Sequence, residues 1–210
     1  MKKIMKKVML VVTIATLGLG TLNAQGINFG AKGGLNISNF VGDIEDSESK
    51  IGFNIGVFAE IVLLDKLIFQ PEILFSTQGA KNEDSFDDEN YISTIKVNYL
   101  NIPLMLKYAV SNKFSLEFGP QVGFLLSANA NVEATMDGST ISVEESVKES
   151  FNNIDFGLNF GASFDLTEKI IIGARYNLGL SNVANDEEEI ENEDFKVSNT
   201  VFSFSVGYKF

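Results

Sequence analysis

The chain has 210 residues, 28 of them acidic and 16 basic, and it contains neither cysteine nor histidine. This length suits one domain, and the net charge of −12 argues against a nucleic-acid partner, which requires a basic surface. The missing histidine removes the usual general base and the commonest transition-metal ligand, and the missing cysteine removes disulfides.

The first 24 residues have the pattern of a secretory signal peptide. Four lysines precede an apolar stretch at 8–19, and a small residue, Ala24, ends the segment. The apolar stretch is shorter than the roughly 20 residues that a spanning helix requires. We therefore predict export, with residues 25–210 as the mature domain. Its net charge is −16, because the signal removes four lysines and leaves 12 basic and 28 acidic residues.

Eight later segments alternate between apolar and small or polar residues, the period that separates the two faces of a β-strand. The predicted strands are 27–38, 51–63, 67–79, 97–108, 113–127, 154–164, 170–181 and 199–210. Short connections follow the second, fourth and sixth strands, and long connections follow the others, at 39–50, 80–96, 128–153 and 182–198. This segregation is typical of a membrane barrel with short periplasmic turns and long external loops.

The two faces of these strands differ in composition. The apolar face carries no charged residue, whereas the opposite face carries eleven glycines. A soluble barrel would crowd the bulky set into a narrow interior and place the glycines on a solvated surface. We therefore predict the reverse: an eight-stranded antiparallel up-and-down transmembrane β-barrel, all-β, with apolar groups toward outer-membrane lipid. Because hydrocarbon offers no hydrogen-bond partners, the eighth strand must pair with the first.

Five residues disturb this pattern. Pro71, Pro103 and Pro120 fall inside predicted strands, where each removes a ladder hydrogen bond, so we expect β-bulges or rim positions there. Phe58 and Leu74 are large apolar residues on the lumen face, which leaves the register near them open.

Charged residues of both signs occupy the lumen face. A lumen charge network is predicted from Lys32, Glu60, Glu72, Lys107, Glu117, Asp155 and Arg175, with Lys113 and Lys209 on the same face. Buried charges must be paired, so we expect ion pairs that fill the barrel, centred on Glu60, Glu72 and Arg175. A proton or ion path through a narrow pore is the alternative.

Acidic residues concentrate in the four long connections, which hold 21 of the 28. The densest runs lie at 186–194 and 83–89. Such clusters can hold calcium, but neither run has the spacing of an EF-hand loop. We expect solvated loops kept extended by charge repulsion. No acidic pair is singled out for acid–base work, so we expect neither catalysis nor a cofactor.

Several stretches resemble the PorT-like outer-membrane β-barrel family common in Bacteroidota. They are Phe69-Gln70-Pro71-Glu72-Ile73-Leu74-Phe75-Ser76, Tyr99-Leu100-Asn101-Ile102-Pro103-Leu104, Gly119-Pro120, Asp155-Phe156-Gly157 and Gly207-Tyr208-Lys209-Phe210. The resemblance covers the mature chain and implies that the prolines belong to the barrel. The end of the chain, with Tyr208 and Phe210, also resembles the C-terminal signal read by the barrel-insertion machinery of Gram-negative cells.

The expected function is a non-enzymatic outer-membrane protein whose barrel anchors acidic external loops for surface interaction. The alternative is a transport role, either as a narrow porin-like channel or as an accessory component of a secretion system.

Overall fold

The computed structural model describes residues 27–44, 47–86, 89–136, 139–185 and 196–210. Antiparallel strands dominate these ranges: β1 (Ile27–Gly42), β2 (Glu48–Leu64), β3 (Leu67–Phe86), β4 (Glu89–Ala109), β5 (Phe114–Met136), β6 (Ser139–Ser146), β7 (Ile154–Asp165), β8 (Ile170–Gly179) and β9 (Val197–Lys209). A 3-10 turn, Lys148–Ser150, follows β6. Within the described ranges no helix has the length and hydropathy to span a bilayer. The predicted signal peptide, residues 1–24, lies outside them.

Eight of these strands close into a ring. β1 pairs with β2 on one side and with β9 on the other, and neighbours along the chain pair around the circle, with β5 next to β7. The last strand therefore pairs with the first, which confirms the predicted eight-stranded antiparallel barrel. Short turns join β2 to β3, β4 to β5 and β7 to β8 at one end, called here the turn end. The opposite end is called the extended end.

Two of the predicted long loops are instead β-structure. β3 and β4 remain paired through Phe86 and Glu89, and β5 continues to Met136 and turns into β6. The expectation of extended, self-repelling loops is therefore wrong for 80–86, for 89–96 and for much of 128–153. The reason is that the register places the acidic residues of these strands opposite uncharged ones, as in the pairs Glu83–Ile92 and Glu145–Ala130, so backbone pairing puts no two carboxylates directly opposite each other. The acidic run at 186–194 lies outside the described residues.

The expectation of bulges or rim positions at the prolines is also wrong. The register of β3 against β4 is the same on both sides of Pro71, and that of β4 against β5 is the same across Pro103. Pro120 pairs directly with Leu158. Each residue donates its N–H to one neighbour only, so a proline removes a single bond and the ladder resumes in step. The irregularities lie elsewhere, one of them beside Tyr99.

Apolar side chains point away from the barrel axis. Leu35 is 61% exposed, whereas its polar neighbour Asn36 is 1% exposed. The same alternation runs around the ring, and the outward rings of Phe118 and Phe160 lie 5.2 Å apart. This orientation, with lipid-compatible groups outside and polar groups inside, confirms the predicted face assignment.

Phe58 and Leu74 keep the regular register and lie inside the barrel, both buried. Glycine makes the room for the larger of them. A Cβ atom on Gly30 would lie 2.3 Å from Cζ of the Phe58 ring. The two residues that left the register open are therefore packing residues of the interior.

Candidate functional site

Eight charged side chains form one continuous chain of ion pairs in the half of the barrel nearest the turn end. Neighbours in this eight-charge chain alternate in sign, and each of the eight barrel strands contributes one member. In order they are Lys32, Glu72, Arg175, Glu117, Lys107, Glu60, Lys209 and Asp165. Four cations face four anions, so the chain is neutral overall.

Glu72 has the largest number of partners. Arg175 binds it with both terminal nitrogens, Nη1 to Oε2 at 3.0 Å and Nη2 to Oε1 at 2.9 Å. Lys32 Nζ lies 3.1 Å from Oε2, and Gln70 Nε2 donates to Oε1 at 2.6 Å. The Glu72 carboxylate is fully buried. Such a bidentate pair fixes geometry as well as charge, so it holds β1, β3 and β8 together.

The second part of the chain continues toward the turn end. Arg175 Nη2 also binds Glu117 Oε2 at 2.7 Å, and Lys107 Nζ binds Glu60 Oε1 at 2.7 Å while lying 3.8 Å from Glu117 Oε1. Lys209 Nζ lies 3.7 Å from Glu60 and 3.0 Å from Asp165. The last two members are the most exposed, with 17% of the Lys209 side chain and 30% of the Asp165 side chain accessible.

The structure brings six of the seven predicted network residues into this chain and leaves one outside it. Asp155 is buried in β7 near the extended end, where it accepts a hydrogen bond from Ser181 Oγ at 2.6 Å. Lys113, named on the same predicted face, is exposed in a turn. Sequence reasoning missed Asp165, because the predicted strand ended one residue before it. Alternation along β7 would have predicted it, because Asp165 has the same parity as Asp155 and therefore lies on the lumen face.

Amide and hydroxyl side chains fill the next layer. Asn36 Nδ2 donates to Ser76 Oγ at 2.9 Å, and Asn177 Nδ2 donates to Asn159 Oδ1 at 3.2 Å. Two cavities, each of about 30 Å³, lie at the charged and amide levels. A volume of this size holds one or two water molecules.

An external apolar cluster closes the layer at the extended end. It consists of Phe40, Ala80, Val97, Tyr99, Leu125, Ala128, Val183 and Val197. The ring of Phe151, which follows the 3-10 turn, packs on Phe40 with a centroid separation of 5.9 Å. The Tyr99 hydroxyl is buried without a hydrogen-bond partner among the described residues.

Four paired strand segments extend beyond this cluster, away from the turn end, and are called here the external sheet. They are Ala80–Phe86, Glu89–Lys96, Asn129–Met136 and β6. The residues of this sheet include six acidic and two basic side chains. One of the two, Lys81, pairs with Glu83 and Glu48, and its hydrogen bond to Glu83 raises the pKa of this lysine. In the part of the chain that is described, no cluster of three or more acidic side chains is arranged to hold a metal ion.

The two C-terminal aromatic residues lie on the outer surface at the turn end. The rings of Tyr208 and Phe210 are 6.1 Å apart, and Lys169 Nζ lies 5.7 Å from the Tyr208 ring centroid. The backbone N–H of Phe210 donates to the carbonyl of Phe29 at 2.9 Å, so the last residue is tied to the first strand.

A closed ring of eight antiparallel strands, apolar outside and polar inside, defines a transmembrane β-barrel. Residues 23–185 match the family described as "Outer membrane protein beta-barrel domain". The chain belongs to this family, and it is a protein of the outer membrane.

The chain is also similar to several solved structures. Ail, the attachment invasion locus protein of Yersinia pestis, is 13% identical over 89% of this chain and 99% of its own, with a TM-score of 0.47. Neisserial surface protein A is 15% identical over 87% and 97%, with a TM-score of 0.44. OprG of Pseudomonas aeruginosa is 14% identical over 89% and 97%, with a TM-score of 0.41. No curated protein sequence matches the chain significantly.

Proposed function

We propose that this protein is a non-enzymatic anchor, a closed barrel that holds an acidic external sheet at the cell surface for contact with partners. The observation that carries the proposal is the eight-charge chain, which ties together all eight barrel strands across the lumen. Two further layers, of amides and of apolar side chains, lie between this chain and the external sheet. An interior of this kind fills the barrel and leaves little cross-section for a solute.

A transport role is the second candidate, and a specific observation favours it. Three buried amide oxygens, on Asn54, Gln70 and Asn199, have no hydrogen-bond partner among the described residues. Gln70 lines one of the two small cavities and Asn54 lines the other, so water there would satisfy these two oxygens, and a connected file of water would provide a narrow path. As an accessory component of a secretion system, the barrel would instead act through its external sheet.

Conductance across planar lipid bilayers distinguishes the anchor from the channel. The anchor predicts no steady channels from the purified, refolded protein. Steady, ion-selective channels that change selectivity in Glu72→Gln would contradict the anchor and favour the pore, because Glu72 is the most connected carboxylate of the lumen. The same variant in a closed barrel changes stability instead.

The remaining assignments rest on the sequence. We propose the PorT-like branch of the family from the motifs around Pro71 and Pro103, and outer-membrane lipid as the surroundings of the apolar face. We also propose that the barrel-insertion machinery reads Tyr208 and Phe210. Replacing both by serine is expected to lower the amount of folded protein in the outer membrane while leaving refolding into detergent intact.

A further inference from the structure

We propose that the free edge of β6 is a docking site for an extended, cationic segment of a partner protein, which adds to the external sheet as a further strand. This inference rests on the proposed function, because it names the site and the partner chemistry of the surface contact. The occupant is defined by three properties of β6: an unpaired backbone edge, a bare apolar face and negative charge.

The backbone of β6 is paired on one side only. It pairs with β5, and no other strand of the described ranges lies against its second edge. The N–H of Val147 donates to the carbonyl of Ala128 at 3.0 Å, which identifies that pair as hydrogen-bonded. Pairs alternate along an antiparallel ladder. The N–H and C=O groups that point away from β5 are therefore those of Thr140, Ser142, Glu144 and Ser146.

This edge lacks most of the features that protect natural edge strands. Proteins block such edges with proline, lysine, bulges or a covering segment. The sequence of Ser139–Ser146 contains neither proline nor lysine, and its register with β5 is unbroken over all eight residues. Every residue from 140 to 146 is exposed. The edge therefore offers regular, accessible hydrogen-bonding groups to an incoming strand.

The two faces of the β5–β6 hairpin differ in the contacts of their side chains. On the polar face, side chains of β5 and β6 bind each other: Ser142 Oγ donates to Asn131 Oδ1 at 2.9 Å, and Asn129 Nδ2 donates to Glu144 Oε1 at 2.6 Å. On the other face, Ile141 is 68% and Val143 is 62% exposed. An added strand with apolar residues opposite these two would cover them, because directly paired residues share a face.

The negative charge of the hairpin favours a positively charged partner segment. The hairpin segment 129–147 contains four acidic residues, among them Glu133, Glu144 and Glu145, and no basic residue. Like charges directly opposite one another destabilise a strand pair, and opposite charges stabilise it. A second copy of β6 would bring glutamates near glutamates, in a protein whose net charge is already −12. A segment with lysine or arginine at the glutamate positions is favoured.

The test uses full-length protein folded in lipid nanodiscs and a labelled peptide, Thr-Lys-Lys-Val-Thr-Val-Thr. Paired antiparallel with residues 146 to 140, it places lysines opposite Glu145 and Glu144 and valines opposite Val143 and Ile141. Fluorescence anisotropy measures its binding. The same peptide with both lysines changed to glutamate is the charge control.

Ser142→Pro is the decisive variant, with Ser142→Ala as its matched control. Both remove the hydroxyl and its hydrogen bond to Asn131, but only proline removes the N–H that points to the open edge, and it breaks no backbone hydrogen bond to β5. We expect the peptide to bind the wild type and Ser142→Ala alike, and to bind Ser142→Pro at least tenfold more weakly. The acidic peptide is expected to bind at least tenfold more weakly than the basic one.

Several results would overturn the proposal. Equal binding to Ser142→Pro and Ser142→Ala would exclude the backbone edge, and equal binding of the two peptides would exclude the charge argument. Dimerisation of the wild type that is lost in Ser142→Pro would make the occupant a second copy. Absence of peptide binding in a protein that forms no channels would refute this site alone, whereas steady channels in the bilayer measurement would refute the anchor function.

Discussion

Removing the charge of Glu72 is the perturbation for which the structure gives the clearest magnitude. Glu72→Gln keeps the size of the side chain but leaves Lys32 without an anion within 4 Å among the described residues, since Glu72 is its only ion-pair partner there. Arg175 keeps its contact with Glu117 at 2.7 Å. Breaking a buried ion pair from one side costs about 3–5 kcal/mol. Because Arg175 remains paired, we expect a loss near the lower limit, about 3 kcal/mol.

Reversible urea unfolding in phospholipid vesicles measures this loss. Lys32→Met combined with Glu72→Gln removes one charge of each sign, so the remaining chain is balanced again. The double variant is expected to lose less than the sum of the single losses, with a coupling of about 0.5–3 kcal/mol. Glu168→Gln, an exposed acid at the turn end, is the control and should stay within about 0.5 kcal/mol of the wild type. Additive losses, or a Glu72→Gln variant as stable as this control, would refute the reasoning.

Three further variants test other parts of the barrel by the same unfolding assay. Leu104→Arg places a charge on the lipid face, in the part of β4 that forms the barrel, and should cost about 2–4 kcal/mol. Thr140→Arg on the external sheet should cost little, and equal effects of the two variants would contradict the membrane orientation. Gly30→Ala places a Cβ 2.3 Å from the Phe58 ring and 2.6 Å from the backbone oxygen of Tyr208, so both must shift. The variant should cost about 1–3 kcal/mol, and unchanged stability would contradict tight packing at this position. Tyr99→Phe removes a buried hydroxyl that has no partner among the described residues and should stabilise the protein by about 1 kcal/mol; a loss instead would indicate that water or another group binds it.

The barrel could be predicted from the sequence because lipid imposes a strict period-two pattern on each strand. Leu35 beside Asn36 and Leu106 beside Lys107 are enough to fix which side of their strands faces out. The lumen network was also accessible, since charged residues on an inward face must find partners. Which carboxylate pairs with which cation was not, because Lys32 and Glu72 meet only through the curvature and stagger of the ring.

Other features depended on tertiary context. The period-two alternation of β5 places Leu126 outward with Phe124, and if continued it would place Ala128 outward as well. An irregularity of β5 beside Tyr99 shifts this alternation after Leu126, so Ala128 is turned inward and joins Leu125 in the external apolar cluster. The β5–β6 hairpin was hidden by its acidic residues, which resemble the composition of a solvated loop. Pairing in register with β4 makes that segment a strand.

The accessibility of position 76 to a water-soluble reagent tests most directly whether the lumen of the barrel is blocked. This residue is buried between the eight-charge chain and the external apolar cluster, and the chain has no cysteine of its own. A Ser76→Cys variant is folded in nanodiscs, in which solvent contacts both faces of the bilayer, and is treated with a water-soluble maleimide. A closed barrel predicts no labelling until the protein is unfolded, with Thr140→Cys as the exposed reference. Labelling of Ser76→Cys at the rate of that reference would contradict the closed barrel.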